Sequence, residues 1–127
     1  MSNSGQVTDI LSRIQEAAHR IERRFAPIQS PEDFTASEEG LDRLDGICMM
    51  LIAIGENLKQ LDKVTNGEIL RCYPEVDWQG AKGIRDIISH HYFYVDTEII
   101  FDVCLEKLPG LIAAIKSMQE QFPDDNP

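Results

Sequence analysis

Apolar residues recur along this chain at steps of three and four, which is the spacing of one face of an α-helix. A stripe of seven such positions occupies the first 25 residues, and three further stripes follow over residues 41–61, 78–88 and 99–118. No stretch alternates apolar and polar residues as a half-buried strand does. The pattern therefore predicts four main helices, and the first stripe consists of Val7, Ile10, Leu11, Ile14, Ala18, Ile21 and Phe25.

Residues that start and stop helices predict the boundaries. Pro27 ends the first helix, and Thr35-Ala36-Ser37-Glu38 matches a capping box that would begin the long second helix. Asn66-Gly67 ends this second helix, a short helical piece follows, and Asp77 is placed to cap the third helix. Pro109 should kink or split the last helix. The sequence predicts an all-α fold, a four- to five-helix up-and-down bundle.

Composition limits the organisation and the location of the protein. The 127 residues are 43% hydrophobic, which suits one core and leaves little room for a second. We expect a single domain over 1–127, with an ordered core at about 7–121 and a frayed tail at 123–127. There is no apolar run of membrane-spanning length, no secretory signal, and no pairing pattern among the three cysteines. A cytoplasmic protein that does not contact a membrane is predicted.

Charge narrows the choice of partners. Twelve Lys and Arg against 22 Asp and Glu give a net charge of −10, which opposes non-specific binding to a polyanion such as DNA. The first helix carries a local basic face formed by Arg20, Arg23 and Arg24 beside His19. This face is a candidate RNA contact or a surface for an acidic partner, and a solvated helix face is the alternative interpretation.

The densest cluster of reactive side chains is the octapeptide that runs from Arg85 to Tyr92. Asp86 and His90 are one helical turn apart, so the carboxylate can orient the imidazole. On a regular helix, however, His90 lies about 140° around the axis from Arg85. Either the helix unwinds at Ser89 or a second copy of the chain completes the site.

Arginine and histidine together suit phosphodiester cleavage without a metal ion. Histidine titrates near neutral pH and can take the proton of a 2′-hydroxyl or protonate the leaving oxygen. Arginine stays charged and stabilises the phosphate in the transition state. The alternative is that Arg85 pairs with Asp86 or another nearby acid, while His90 and Tyr92 only cap and pack the helix end.

The pattern R-x-x-x-x-H-x-Y, here from Arg85 through His90 to Tyr92, resembles the signature of the HepT-like branch of the HEPN superfamily. The likeness extends over about residues 7–120. The other segments that carry it are Ile54-Gly55-Glu56, Val76-Asp77-Trp78, Tyr92-Phe93-Tyr94-Val95-Asp96, and Leu108-Pro109 with Leu111.

The resemblance implies the toxin of a type VII toxin–antitoxin system, a metal-independent endoribonuclease that cleaves tRNA or mRNA. It implies a homodimer with a composite active site, in which Arg85 and His90 are catalytic and Asp86 assists the histidine. Tyr92 matches the tyrosine that an MntA-like nucleotidyltransferase antitoxin adenylylates, and His91 is a possible RNA contact. The chain has no phosphate-binding glycine loop, so no cofactor of its own is expected.

A second hypothesis from another class remains open. The chain could be a non-catalytic helical binding module that assembles with a nucleotidyltransferase, in which case the octapeptide only docks the partner. The intact Arg, Asp and His favour the nuclease, whereas the net charge of −10 favours the binding module.

Overall fold

The computed structural model describes residues 4–90 and 95–122, and every regular element in these ranges is helical. Residues 97–121 form one continuous C-terminal helical stretch, so the described part contains five helices and no strand. The predicted all-α bundle is confirmed. The elements are α1 (Ser4–Phe25), a 3₁₀ turn (Pro31–Phe34), α2 (Glu38–Thr65), α3 (Glu68–Arg71), α4 (Trp78–His90), α5 (Thr97–Asp102), the π-helical turn (Val103–Lys107) and α6 (Leu108–Gln121).

Cross-helix hydrogen bonds show that α1 and α2 run antiparallel. Arg13 Nε near the middle of α1 donates to Asn57 Oδ1 at 3.1 Å. At the other end of the pair, Arg43 Nη1 near the start of α2 donates to the backbone oxygen of Arg24 at 3.2 Å. Residues 26–37, which include the 3₁₀ turn, reverse the chain direction between these two helices.

The C-terminal helix α6 packs antiparallel to α1 on another side of the bundle. Thr8 Oγ1 donates to the backbone oxygen of Phe122 at 3.3 Å, and Gln15 Nε2 donates to Gln119 Oε1 at 3.3 Å. The apolar stripes of these helices meet in one core that contains no buried polar or charged residue among the described ones. The largest fully buried side chains are Phe34, Ile10, Leu11, Ile14, Ile21, Ile47, Ile54, Leu58, Leu61, Ile100, Ile115 and Met118.

The start of α2 differs from the predicted capping box. Ser37 is the N-cap, and its side chain accepts a hydrogen bond from the Gly40 amide at 2.9 Å. Thr35 instead ends the preceding 3₁₀ turn, which buries Phe34 completely. The expected box was wrong, because the N-cap of α2 is Ser37, two residues after the Thr35 that the box would use.

The other predicted helix boundaries agree with the structure. Asn66 and Gly67 both adopt left-handed backbone angles, with φ of 54° and 73°, and end α2. Asp77 Oδ1 accepts from the Gly80 amide at 3.0 Å at the start of α4. Pro109 has no amide hydrogen, and the helix before it widens into the π-helical turn, where the Leu108 amide donates to the oxygen of Val103.

None of the described helices combines the length and the apolar character needed to cross a bilayer.

Candidate active site

The candidate site lies where α2 crosses α4, and a glycine allows these two helices to come close together. A Cβ atom on Gly55 would lie 2.8 Å from the backbone oxygen of Ala81, so a larger residue would push α4 away. Ile54 and Ile84 are buried at this crossing. The Lys82 ammonium donates to the Asp62 carboxylate and ties the two helices together. The crossing fixes the residue after Gly55 next to the middle of α4.

That residue is Glu56, and it pairs with the candidate catalytic arginine. Arg85 Nη1 donates to Glu56 Oε1 at 3.0 Å, and the other carboxylate oxygen forms an ion pair with Lys59 Nζ at 3.3 Å. Both partners remain accessible, because the side chains of Arg85 and Glu56 are 56% and 43% exposed. The guanidinium can therefore hold Glu56 with one edge and still present N–H groups to a phosphate.

The α4 helix stays regular through His90, so it does not unwind at Ser89. Ile84 and Ile88 are buried and define the inward side of α4, while Asp86 is exposed on the outer side. Position 90 lies about 140° around the axis from position 85 on such a helix. Of the two options left open by the sequence, unwinding at Ser89 is not observed, and completion of the site by a second copy stays a prediction.

Three of the predicted site side chains lie outside the part of the chain that the structure describes. The side chain of His90 is not described, and His91 and Tyr92 belong to residues 91–94, which lie outside the described ranges. The predicted tail at 123–127 also lies outside them. Their roles stay predictions.

The basic face of α1 is partly neutralised by acids on the same helix. Arg20 Nη2 donates to Glu16 Oε2 at 2.6 Å, and His19 Nδ1 lies 2.9 Å from Glu22 Oε1. Together with Arg23, both basic residues line a surface depression of about 530 Å³ between α1 and α6. The structure thus brings Arg20 and Arg23 together on one accessible surface.

Arg24 is separated from this surface. It is half-buried, and its side chain lies over Gly46 of α2, where an added Cβ would be only 2.6 Å from Arg24 Nε. The backbone oxygen of Arg24 also accepts from Arg43. These contacts fit a role in packing α1 against α2, which adjacency to Arg23 in the sequence did not indicate.

Glu56 is the site residue that sequence reasoning missed. The segment Ile54-Gly55-Glu56 contributed to the resemblance but had no assigned role. The sequence contained one signal for this residue, because a small residue followed by an acid interrupts the apolar face of the long second helix. Its partner Arg85 is 29 positions away, so local spacing did not reveal the pair.

The described residues form no metal-binding cluster, and two of the three cysteines are buried. Over 4–90 and 95–122, no three His, Cys, Asp or Glu residues are grouped so that they could hold a metal ion. Burial raises the pKa of the Cys48 thiol to about 11 and that of Cys104 to about 12, so both remain protonated near neutral pH.

Comparison with known proteins identifies the class. The family model described as "Ribonuclease HepT-like" matches residues 14–118, which include α2, α4 and the Arg85–His90 segment. The chain belongs to the HepT-like ribonuclease family, as the sequence resemblance indicated.

Individual relatives agree with this family. The chain is 37% identical over 68 residues to "Putative RNase MJ0127" of Methanocaldococcus jannaschii, covering 54% of this chain and 53% of the relative. The chain is also 32% identical over 68 residues to "Putative RNase TTE0752" of Caldanaerobacter subterraneus, covering 54% of this chain and 57% of the relative. The match with these two spans only a little over half of their length. "Probable ribonuclease HepT" of Thermococcus cleftensis is 27% identical over 112 residues, covering 88% and 94%. No solved structure matches the chain significantly.

Proposed function

We propose that this chain is the toxin of a type VII toxin–antitoxin system and cleaves tRNA or mRNA as a metal-independent endoribonuclease. The observation that carries the proposal is the HepT-like ribonuclease match, which includes the helix with Arg85 and His90. The protein acts as a single domain in the cytoplasm, where both RNA classes are found.

The proposed reaction uses the 2′-hydroxyl of the RNA as the nucleophile. His90 removes its proton, the oxygen attacks the adjacent phosphorus, and the bond to the 5′-oxygen of the next nucleotide breaks. The leaving oxygen takes up a proton, and the products carry a 2′,3′-cyclic phosphate and a 5′-hydroxyl. Arg85 stabilises the charge that builds on the phosphate oxygens, and Asp86 orients the histidine.

A homodimer completes this site. Position 86, opposite the buried Ile84 and Ile88, marks the outer side of α4, and position 90 lies beside it on a regular helix. A second copy packed over that side brings its own Arg85 towards the His90 of the first. Two-fold symmetry then generates two equivalent sites. The Arg20 and Arg23 surface and His91 contact the RNA outside the reacting phosphate.

An MntA-like nucleotidyltransferase neutralises the toxin by adenylylating Tyr92. The added group brings bulk and negative charge next to a site for an anionic substrate, so it blocks RNA sterically and electrostatically. We expect Tyr92→Phe to retain cleavage and to lose modification, as measured by RNA cleavage and intact mass. Loss of cleavage by Tyr92→Phe in the absence of any antitoxin would contradict a purely regulatory tyrosine.

The test of the nuclease function is cleavage of total tRNA and of an mRNA in EDTA by the unmodified protein. Cleavage by the parent and not by His90→Ala or Arg85→Ala supports the proposal. Equal cleavage by the parent and by His90→Ala would indicate a contaminating nuclease and refute the assignment.

The non-catalytic binding module is the second candidate. Ion pairs at two exposed arginines favour the binding module. Arg85 is held by Glu56 and Arg20 by Glu16, which leaves less free positive charge for RNA. Absence of cleavage by a folded, unmodified parent, together with stable binding to a nucleotidyltransferase, would select this function.

A further inference from the structure

Glu56 stands out because it is not part of the signature and yet contacts Arg85 directly. The two residues come from different helices, α2 and α4, and their 3.0 Å contact joins Nη1 to Oε1. Among the residues that the structure describes, no other carboxylate pairs with the Arg85 guanidinium. Within the described ranges, the ion pair that can hold Arg85 in one rotamer is therefore the one with Glu56.

The backbone of Glu56 is itself fixed by the helix crossing. Gly55, the preceding residue, lies against the backbone of α4 so closely that an added Cβ would be 2.8 Å from the Ala81 oxygen. Lys59 holds the second carboxylate oxygen at 3.3 Å. The carboxylate is thus oriented from both sides, whereas Arg85, with 56% of its side chain exposed, would otherwise sample many rotamers.

We infer that Glu56 is a positioning residue for Arg85 in RNA cleavage, an inference that rests on the proposed nuclease function. Arginine has five N–H donors, and the contact to Glu56 uses one edge of the group, so the rest can engage the phosphate. Holding the guanidinium in place lowers the cost of ordering it in the transition state, which raises kcat. The negative charge of Glu56 also repels RNA, which raises KM.

Two substitutions at position 56 distinguish the effect of Glu56 on kcat from its effect on KM. Glu56→Ala removes both the acceptor and the charge, so we expect kcat to fall about 10-fold while KM falls as well. Glu56→Gln keeps an oxygen that can accept from Arg85 and removes only the charge, so kcat should stay within about threefold of the parent while KM falls. The decrease in KM should shrink as salt is added, because exposed charges are screened.

The matched control is Glu39→Ala. Glu39 also pairs with an arginine, since Arg43 Nη2 donates to its Oε1 at 3.1 Å, but both residues lie near the start of α2. This variant should keep the parental kcat and KM. A second readout, the heteronuclear NOE of the Arg85 side-chain Nε–H, should report a mobile guanidinium in Glu56→Ala and an ordered one in the parent and in Glu39→Ala.

The outcomes distinguish this inference from the function on which it rests. A parent that cleaves RNA, with Glu56→Ala at parental kcat and KM, would overturn the positioning role alone. Equal losses of kcat in the Ala and Gln variants, with unchanged KM, would also overturn it, because they indicate general damage to the site. A parent that does not cleave overturns the nuclease and this role together, and the NOE then still reports whether the pair orders Arg85.

Discussion

The proposed composite site of a homodimer makes a quantitative prediction about mixed dimers. Arg85→Ala and His90→Ala should each be inactive alone, because each homodimer lacks one catalytic group at both sites. Co-refolding equal amounts lets half of the dimers contain one chain of each kind. In these dimers one site has lost both groups, and the other combines the intact Arg85 of one chain with the intact His90 of its partner. Because half of the dimers are mixed and each mixed dimer has one intact site of two, the mixture should show about a quarter of the activity of the same amount of parent.

This magnitude depends on the geometry of α4. The helix is regular through His90, so positions 85 and 90 lie about 140° apart around its axis, and we expect that a single chain does not direct both residues at one phosphate. The assay is initial-rate RNA cleavage after co-refolding, with each variant refolded alone as the baseline. If the mixture stays at that baseline although mixed dimers are present by native mass spectrometry, both groups act within one chain and the reasoning is refuted.

The double variant provides the internal control for the same assay. Co-refolded with an equal amount of parent, the Arg85→Ala, His90→Ala chain should leave about a quarter of the activity if the sites are composite, since only parental homodimers remain active. If each chain carried its own complete site, about half of the activity would remain.

Three further predictions concern the glycines and the cysteines of the fold. Gly55→Ala should destabilise the fold by about 1–3 kcal/mol in urea denaturation, because its Cβ would lie 2.8 Å from a backbone oxygen of α4, and it should reduce cleavage. Gly83→Ala meets nothing within 4 Å and should stabilise the fold by about 0.5–1 kcal/mol, so equal effects of the two changes would contradict the close crossing. Ellman's reagent at pH 8 should react rapidly only with the exposed Cys72, because burial raises the pKa of Cys48 to about 11 and that of Cys104 to about 12. Rapid reaction of all three thiols would contradict this prediction. Stability should fall from pH 9 towards pH 11, because these thiols ionise near 9.0 when unfolded and only at higher pH when folded.

The helices and most of their ends were predictable because they depend on local chemistry. The apolar stripe from Val7 to Ile21 is buried as its period indicates. Asn66-Gly67 ends α2 through two left-handed residues, and Asp77 caps α4. Each of these features is encoded within a few neighbouring residues, which is the range over which sequence patterns are informative.

Features that depend on contacts between helices were not predictable in the same way. Phe34 is buried in the core by contacts that the capping-box pattern does not contain, and the N-cap of α2 is Ser37 rather than Thr35. Arg24 looked like Arg23 in the sequence but packs over Gly46. The pair of Glu56 and Arg85 requires knowledge of which helices cross and at which residues.

The most direct test of the central claim is to map the RNA ends produced by unmodified, mass-checked protein in EDTA, beside His90→Ala. The account predicts cleavage by the parent alone, with 2′,3′-cyclic phosphate and 5′-hydroxyl ends, and protection of the RNA by a single 2′-deoxy nucleotide at the cleavage site. Failure of the folded dimer to cleave tRNA or mRNA, or products with 3′-hydroxyl and 5′-phosphate ends, would contradict it.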